Sequence, residues 1–312
     1  MASAGSGLLW GADENGAAKA AGEKGWIVLN HKIENLTLDA ERALYAVQDA
    51  EISRCLFDGP ADGESALKEC RRVLVKDCDF HLRYPFWHAE DTVIEDSRMT
   101  ETCRAALWYD RNTTVKNSVL GGIKALRECD ESVLTGCTIE STEFGWFCRG
   151  VKITDCDLKA EYPFLHTCGM EIDDLRMQGK YSFQYTENVT IRNSVLDTKD
   201  AFWHGKNITV YDSVVKGEYL AWYSENLRLV RCKIIGTQPF CYAKNLVLED
   251  CEMVDCDLSF ENTTVQATVK GEITSVKNPA GGSITADRIG EIILDEYQWK
   301  LAPCTITERE KA

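Results

Sequence analysis

Five tryptophans, Trp87, Trp108, Trp146, Trp203 and Trp222, follow one another at offsets of 21, 38, 57 and 19 residues. Each is preceded three or four residues earlier by a charged side chain: Arg83, Arg104, Glu143, Asp200 and Glu218. Between these units the Trp position is taken by Arg127, Leu165 and Gln184, and the charged position by Lys124, Glu161 and Lys180. Flat indole faces beside carboxylates and cations suit a saccharide, whose ring stacks on the aromatic face while its hydroxyls bind the charged groups. Two pairs of acids fall one unit apart, Glu143 with Glu161 and Asp200 with Glu218. Carboxyl groups about 5–5.5 Å apart suit retaining glycoside hydrolysis and about 6.5–9.5 Å suit inversion, and the spacing leaves both open. Proton abstraction beside an acidic sugar would instead use Arg104, Lys124, Arg127 or Lys180. The plainer alternative is a surface ladder of ion pairs, each contributing about 0–1 kcal/mol, with the Trp lying over a turn.

These residues recur because the chain repeats. The segments VLTGCTI, VKITDCDL, MEIDDLRM, VTIRNSVL, ITVYDSVV, LRLVRCKI and LVLEDCEM begin at Ser132, Val151, Met170, Val189, Ile208, Leu227 and Leu246 (the first from its preceding Ser), each 19 residues after the last. Looser copies lie upstream from Ala50, Val73, Thr92 and Thr113, and a blurred one downstream from Val265. Apolar residues at the first, third and eighth positions alternate as in a strand. The sixth position is small, as in Cys55, Ser97, Cys137 and Ser194. The nineteenth is Asn or Gly, as in Gly150, Asn188, Asn207 and Asn226, types that accept a left-handed turn conformation. A unit this short holds one coil of strands and tight turns, so the sequence predicts an all-β, single-stranded, right-handed parallel β-helix of about twelve coils. Residues 1–25 are expected to be a flexible extension, 26–283 the solenoid and 284–312 a cap that includes EIILDEYQWKLAPC.

Strand alternation sends the fourteenth position inward, with Phe86, Phe164, Phe183, Phe202 and Phe240, and the fifteenth, the Trp column, outward. Trp87, Trp108, Arg127, Trp146, Gln184, Trp203 and Trp222 are then the expected ligand-binding residues, and an exposed aromatic face marks a binding site. Loss of little buried area by Trp222→Ala is expected to cost within about 1 kcal/mol. The sixteenth position alternates His88, His166 and His204 with Tyr109, Tyr185, Tyr223 and Tyr242, and is expected to face the core or its boundary.

Fourteen Cys alternate with Ser in the repeat register, the pattern of buried reduced thiols in a cytoplasmic protein. No CxxC pairs with another at zinc-finger spacing, so neither a metal nor any other cofactor is expected. A formal charge of −15 argues against nucleic acid and anionic membrane as partners, and no apolar run is long enough to span a bilayer.

The stretches FDGPADGESALKEC from Phe57, LRYPFWH from Leu82, CRAALWYDRN from Cys103, KYSFQYTEN from Lys180 and DTKDAFWHGKN from Asp197 are similar to an uncharacterised bacterial family. That family is a domain of unknown function with a pectate-lyase-like right-handed β-helix, and the resemblance covers about residues 33–295. It implies the fold and no activity. The NTD, GHG and RIK motifs of polygalacturonases are missing, as is the calcium-binding Asp cluster of pectate lyases. The expected function is a cytoplasmic carbohydrate-binding or carbohydrate-active protein using the Trp and charged face. The alternatives are a non-catalytic scaffold presenting that face to a protein partner, and an isomerase or lyase acting on a small sugar.

Overall fold

The computed structural model describes residues 9–12, 18–22, 25–59, 64–295 and 302–310. The expected capping stretch EIILDEYQWKLAPC therefore lies partly outside the described residues, as does most of the segment 1–25. Leu9–Ala12 and Ala18–Gly22 of that segment form, with Gly25–Val28, a three-stranded antiparallel sheet. Every regular element among the described residues is a strand. The chain falls into two compact units, one ending at Asp157 and the other beginning at Leu158.

In the first unit the strands Gln48–Ser53, Arg71–Lys76, Glu90–Glu95, Arg111–Lys116 and Asp130–Thr135 pair in parallel, each with the next. Their register stacks the third position of the repeat: Ile52, Val75, Ile94, Val115, Leu134 and Ile153 face one another in turn. All six are buried. A second row of short strands carries the eighth position inward, and Phe57 stacks on Phe80 at 4.6 Å.

The second unit repeats the plan. Cys168–Lys180, Glu187–Arg192, Lys206–Tyr211, Glu225–Val230 and Leu246–Val254 are parallel neighbours, and Ile172, Ile191, Val210, Leu229 and Leu248 form their inner column. The column continues through Ala267, Ile284 and Ile306 at offsets of 19, 17 and 22 residues. Among the described residues there are about fourteen turns, against the twelve that the period predicts. The additional turns lie at the ends, where strands such as Gly281–Ala286 and Cys304–Glu308 pair in parallel although their spacing leaves the 19-residue register. Strand pairing needs matched backbone groups and does not require a fixed loop length, so the coil continues where the sequence period fades.

The corners explain why Cys and Ser interchange. At the sixth position several backbone N–H groups donate to the Oγ or Sγ of the next coil: Cys55 to Cys78 at 3.4 Å, Cys78 to Ser97 at 3.1 Å, Ser97 to Ser118 at 3.0 Å, and Cys137 to Cys156 at 3.3 Å. In the second unit Ser194 donates likewise to Ser213 at 3.0 Å. A buried N–H at a bend leaves the strand ladder and needs another acceptor, and either side chain supplies one in the same volume. All fourteen cysteines are free thiols. Burial pushes Cys78, Cys241 and Cys256 up to about 12.

Candidate functional site

In the first unit Phe86–Trp87, Leu107–Trp108 and Leu126–Arg127 are short parallel strands, but in the second the segment carrying the Trp column is not extended. In the second unit Phe183, Phe202 and Phe240 at the fourteenth position, and Tyr185, His204, Tyr223 and Tyr242 at the sixteenth, all have φ between 54° and 63°. Left-handed residues on both sides of the fifteenth position break the period-2 alternation, because each reverses the local direction of the chain. The fourteenth column faces inward as expected: Phe164, Phe183 and Phe202 are buried and stack at 4.9 and 5.1 Å. The other two columns depart from expectation. Trp203, Trp222 and His204 are half-buried, and Tyr185 and Tyr223 beside them are the exposed rings.

The two indoles stack on each other at 5.5 Å with their planes 5° apart. Trp203 Nε1 donates to the Tyr219 carbonyl at 2.7 Å, and Trp222 Nε1 to the Gln238 carbonyl at 2.9 Å. Their polar edges are thus committed to the neighbouring coil, which corrects the expectation of an outward Trp column. Gln184 occupies the same column and is half-buried. The acids of this unit answer cations. Glu161 pairs with Lys180, and Glu218 with Lys199 at 3.0 Å. Asp200, with 5 % of its surface exposed, stands apart as a buried carboxyl. Desolvation raises its pKa, Lys199 opposes that shift, and Glu218 adds to it.

In the first unit Trp87 and Trp108 stack at 5.2 Å, Lys68 Nζ lies 3.9 Å from the Trp87 ring centre, and the Arg127 guanidinium lies 5.8 Å from that of Trp146. The column therefore accepts Lys and Arg because a cation over an indole face is attracted to it. Glu143 pairs with Lys124 at 3.1 Å, and Arg104 is exposed. The expected pair Glu143 and Glu161 falls in different units, and each is matched to a lysine.

A cleft of about 330 Å³ lies beside this Trp pair, over the column that the sequence places inward. His88 and Tyr109 form its aromatic wall, stacked at 5.0 Å and 10°. Each ring also stacks on the Trp preceding it in the chain, His88 on Trp87 at 5.9 Å and Tyr109 on Trp108 at 5.2 Å. Ala89 and five charged side chains, Arg71, Glu90, Arg111, Asp130 and Glu128, complete the lining. Strand register places Arg71, Glu90, Arg111 and Asp130 on successive coils, and Arg71 approaches Glu90 at 3.6 Å. Burial alone would raise the Glu128 carboxyl, but hydrogen bonds from Tyr109 and Arg127 outweigh it and hold the group below its usual range. The same bond raises Tyr109, which stays a neutral donor. The signal for this site was present in the sequence as a column of His and Tyr, aromatics with polar tips that seldom bury completely. Among the described residues no cluster of three or more His, Cys, Asp or Glu could hold a metal ion. No helix there is long and apolar enough to cross a membrane.

Stacked coils of parallel strands, carrying aromatic and charged ladders on their outer surface, define a parallel β-solenoid protein. The chain belongs to the family described as protein of unknown function DUF3737, whose model matches residues 31–307. A search of curated protein sequences gave no match. Among solved structures it is similar to the A-module of the Azotobacter vinelandii mannuronan C-5 epimerase AlgE4, at 11 % identity and a TM-score of 0.31, covering 77 % of this chain and 90 % of that one. It is also similar to PfbA, a surface adhesin of Streptococcus pneumoniae, at 11 % identity and a TM-score of 0.32, covering 78 % and 76 %. For the catalytic domain of a GH87 α-1,3-glucanase the identity is 8 %, the TM-score 0.28 and the coverage 89 % and 63 %.

Proposed function

We propose that the protein binds a saccharide in the cleft of its first unit, and that it does so in the cytoplasm. The observation that carries this is the combination in one cleft of a ring platform, His88 and Tyr109 backed by Trp87 and Trp108, with a rim of interleaved carboxylates and guanidinium groups. A pyranose presents a face of C–H groups to such a platform and a rim of hydroxyls, each both donor and acceptor, to such a wall. Glu90, Glu128 and Asp130 accept, while Arg71 and Arg111 donate. The three carboxylates outnumber the two guanidinium groups, so the wall disfavours an anionic ligand, which favours an uncharged sugar.

A glycan screen followed by titration calorimetry tests the proposal. Tyr109→Ala, at an exposed position, should stay folded, with a melting temperature lowered modestly by the loss of its stacking on His88 and Trp108, and should weaken binding about tenfold or more. Absence of any glycan ligand for the wild type, or equal affinity in the variant, would overturn it. The cytoplasmic assignment rests on the thiols. Titration in denaturant without reductant should count close to all fourteen, whereas a count lower by several would show disulfides and an oxidising compartment.

A further inference from the structure

On the second unit a different outer face combines three ladders. Tyr185, His204, Tyr223 and Tyr242 stack in sequence at 4.8, 5.1 and 5.0 Å, and Tyr185 and Tyr223 are 45 % and 47 % exposed. Two positions further along each coil the register aligns Glu187, Lys206, Glu225 and Lys244, one per coil. Beside them runs a ladder of amides: Asn207 Nδ2 donates to Asn188 Oδ1 at 3.2 Å, Asn226 to Asn207 at 2.9 Å, and Asn245 to Asn226 at 3.1 Å. Each internal Asn spends one N–H on this chain of bonds and keeps a second N–H and a carbonyl lone pair directed elsewhere.

The charge order is self-complementary. Read in reverse, Glu-Lys-Glu-Lys becomes Lys-Glu-Lys-Glu, so a second copy turned about a two-fold axis perpendicular to the coil stack sets Glu187 against Lys244 and Lys206 against Glu225, twice over. The same operation sets His204 against Tyr223 and lays one Asn ladder along the other. Both faces have the pitch of the same fold, about 4.8 Å per coil, so all three ladders stay in register along their length. A parallel arrangement would oppose Glu to Glu and Lys to Lys. In the first unit the corresponding column reads Arg71, Glu90, Arg111, Asp130 and Arg149, and its reversal opposes Arg71 to Arg149 and Glu90 to Asp130. Over its full five rungs that column is not self-complementary, whereas the four charged rungs of the second unit are.

We propose that this face is the interface of an antiparallel two-fold homodimer, an isologous contact in which each column meets its own copy. Four coils span roughly 15–20 Å. A patch of that length is at the small end of specific interfaces, so the dimer is weak and concentration-dependent.

Sedimentation equilibrium of the full chain between about micromolar and millimolar concentration tests it. The wild type should pass reversibly from monomer to dimer, less readily at high salt. Lys206→Glu sets an acid against the other copy's Glu225 at both symmetry-related contacts and should weaken association by at least about tenfold. Adding Glu225→Lys restores the complementary order and should restore the dimer. Lys244→Glu, at the outer rung, reads the same interface should Lys206→Glu fail to fold, and thermal melts of each variant separate folding from association. A monomer across the whole range, a dimer indifferent to both Lys→Glu changes, or a charge swap that fails to rescue would each overturn the proposal.

Discussion

Trp222→Ala is expected to destabilise the protein by about 2–3 kcal/mol, somewhat below the roughly 3–5 kcal/mol that truncating a fully buried aromatic costs. Three losses combine. The half-buried indole leaves a void against Trp203 at 5.5 Å and against the edges of Tyr219 and Tyr242 at 5.5 and 5.8 Å. The Gln238 carbonyl loses the N–H that approaches it at 2.9 Å. Trp203 loses the flat partner that covers one of its faces. Strand alternation applied to the sequence predicts a loss within about 1 kcal/mol, because it places this column outward. Urea unfolding of the two proteins decides between them, and a difference under about 1 kcal/mol would mean that the indole contributes surface and not packing.

Asp110→Thr is expected to stabilise the protein at neutral pH by about 1–3 kcal/mol, the typical cost of a buried polar group left without a partner. Asp110 is 1 % exposed; its Oδ1 accepts the Ala89 N–H at 2.8 Å, and its Oδ2 is buried with no hydrogen-bond partner. Desolvation, with a smaller contribution from Cys129, raises its pKa well above the usual carboxylate range. The repeat itself supplies the replacement. At the equivalent place in the second unit Thr263 Oγ1 accepts the Ala243 N–H at 2.9 Å, the same bond without an ionisable group. The pH dependence follows from the direction of the shift. Below the unfolded-state pKa, about 3.9, both states hold the proton and the carboxyl imposes no ionisation penalty. As pH rises from there towards the raised folded-state pKa, the unfolded chain gives up its proton while the folded one keeps it, and the wild type loses stability. The variant does not titrate at this position, so its advantage should be largest at pH 7 and shrink towards pH 4. Melting curves at the two pH values measure it. An equal difference at both would show that Asp110 does not carry a raised pKa.

Much of the architecture is legible without coordinates. The third position of each unit is apolar in almost every copy, and in the structure those residues stack as Val75 on Ile52 and Ile94. The turn Asn residues are found where a left-handed residue is required, with Asn188, Asn207 and Asn226 at φ of 58°, 53° and 56°. The inner Phe ladder is likewise visible as a recurring Phe. What misled was the arc around it. Phe183 and Tyr185 both adopt left-handed conformations, which neither residue type signals, so the alternation that works along the strands fails there.

Sequence by itself therefore determined the coil, its period, its inner columns and the interchange of Cys with Ser, because parallel stacking makes equivalent positions neighbours and each neighbour pair repeats the same demand. Only the tertiary structure decided which outer column is open. The orientation of Trp203 depends on left-handed residues on either side of it, Phe202 and His204, a conformation that the local sequence does not specify. It also decided that Glu143 and Glu218 face lysines, and that Tyr109 reaches Glu128, because those contacts run between coils and are set by side-chain reach across a spacing of about 4.8 Å.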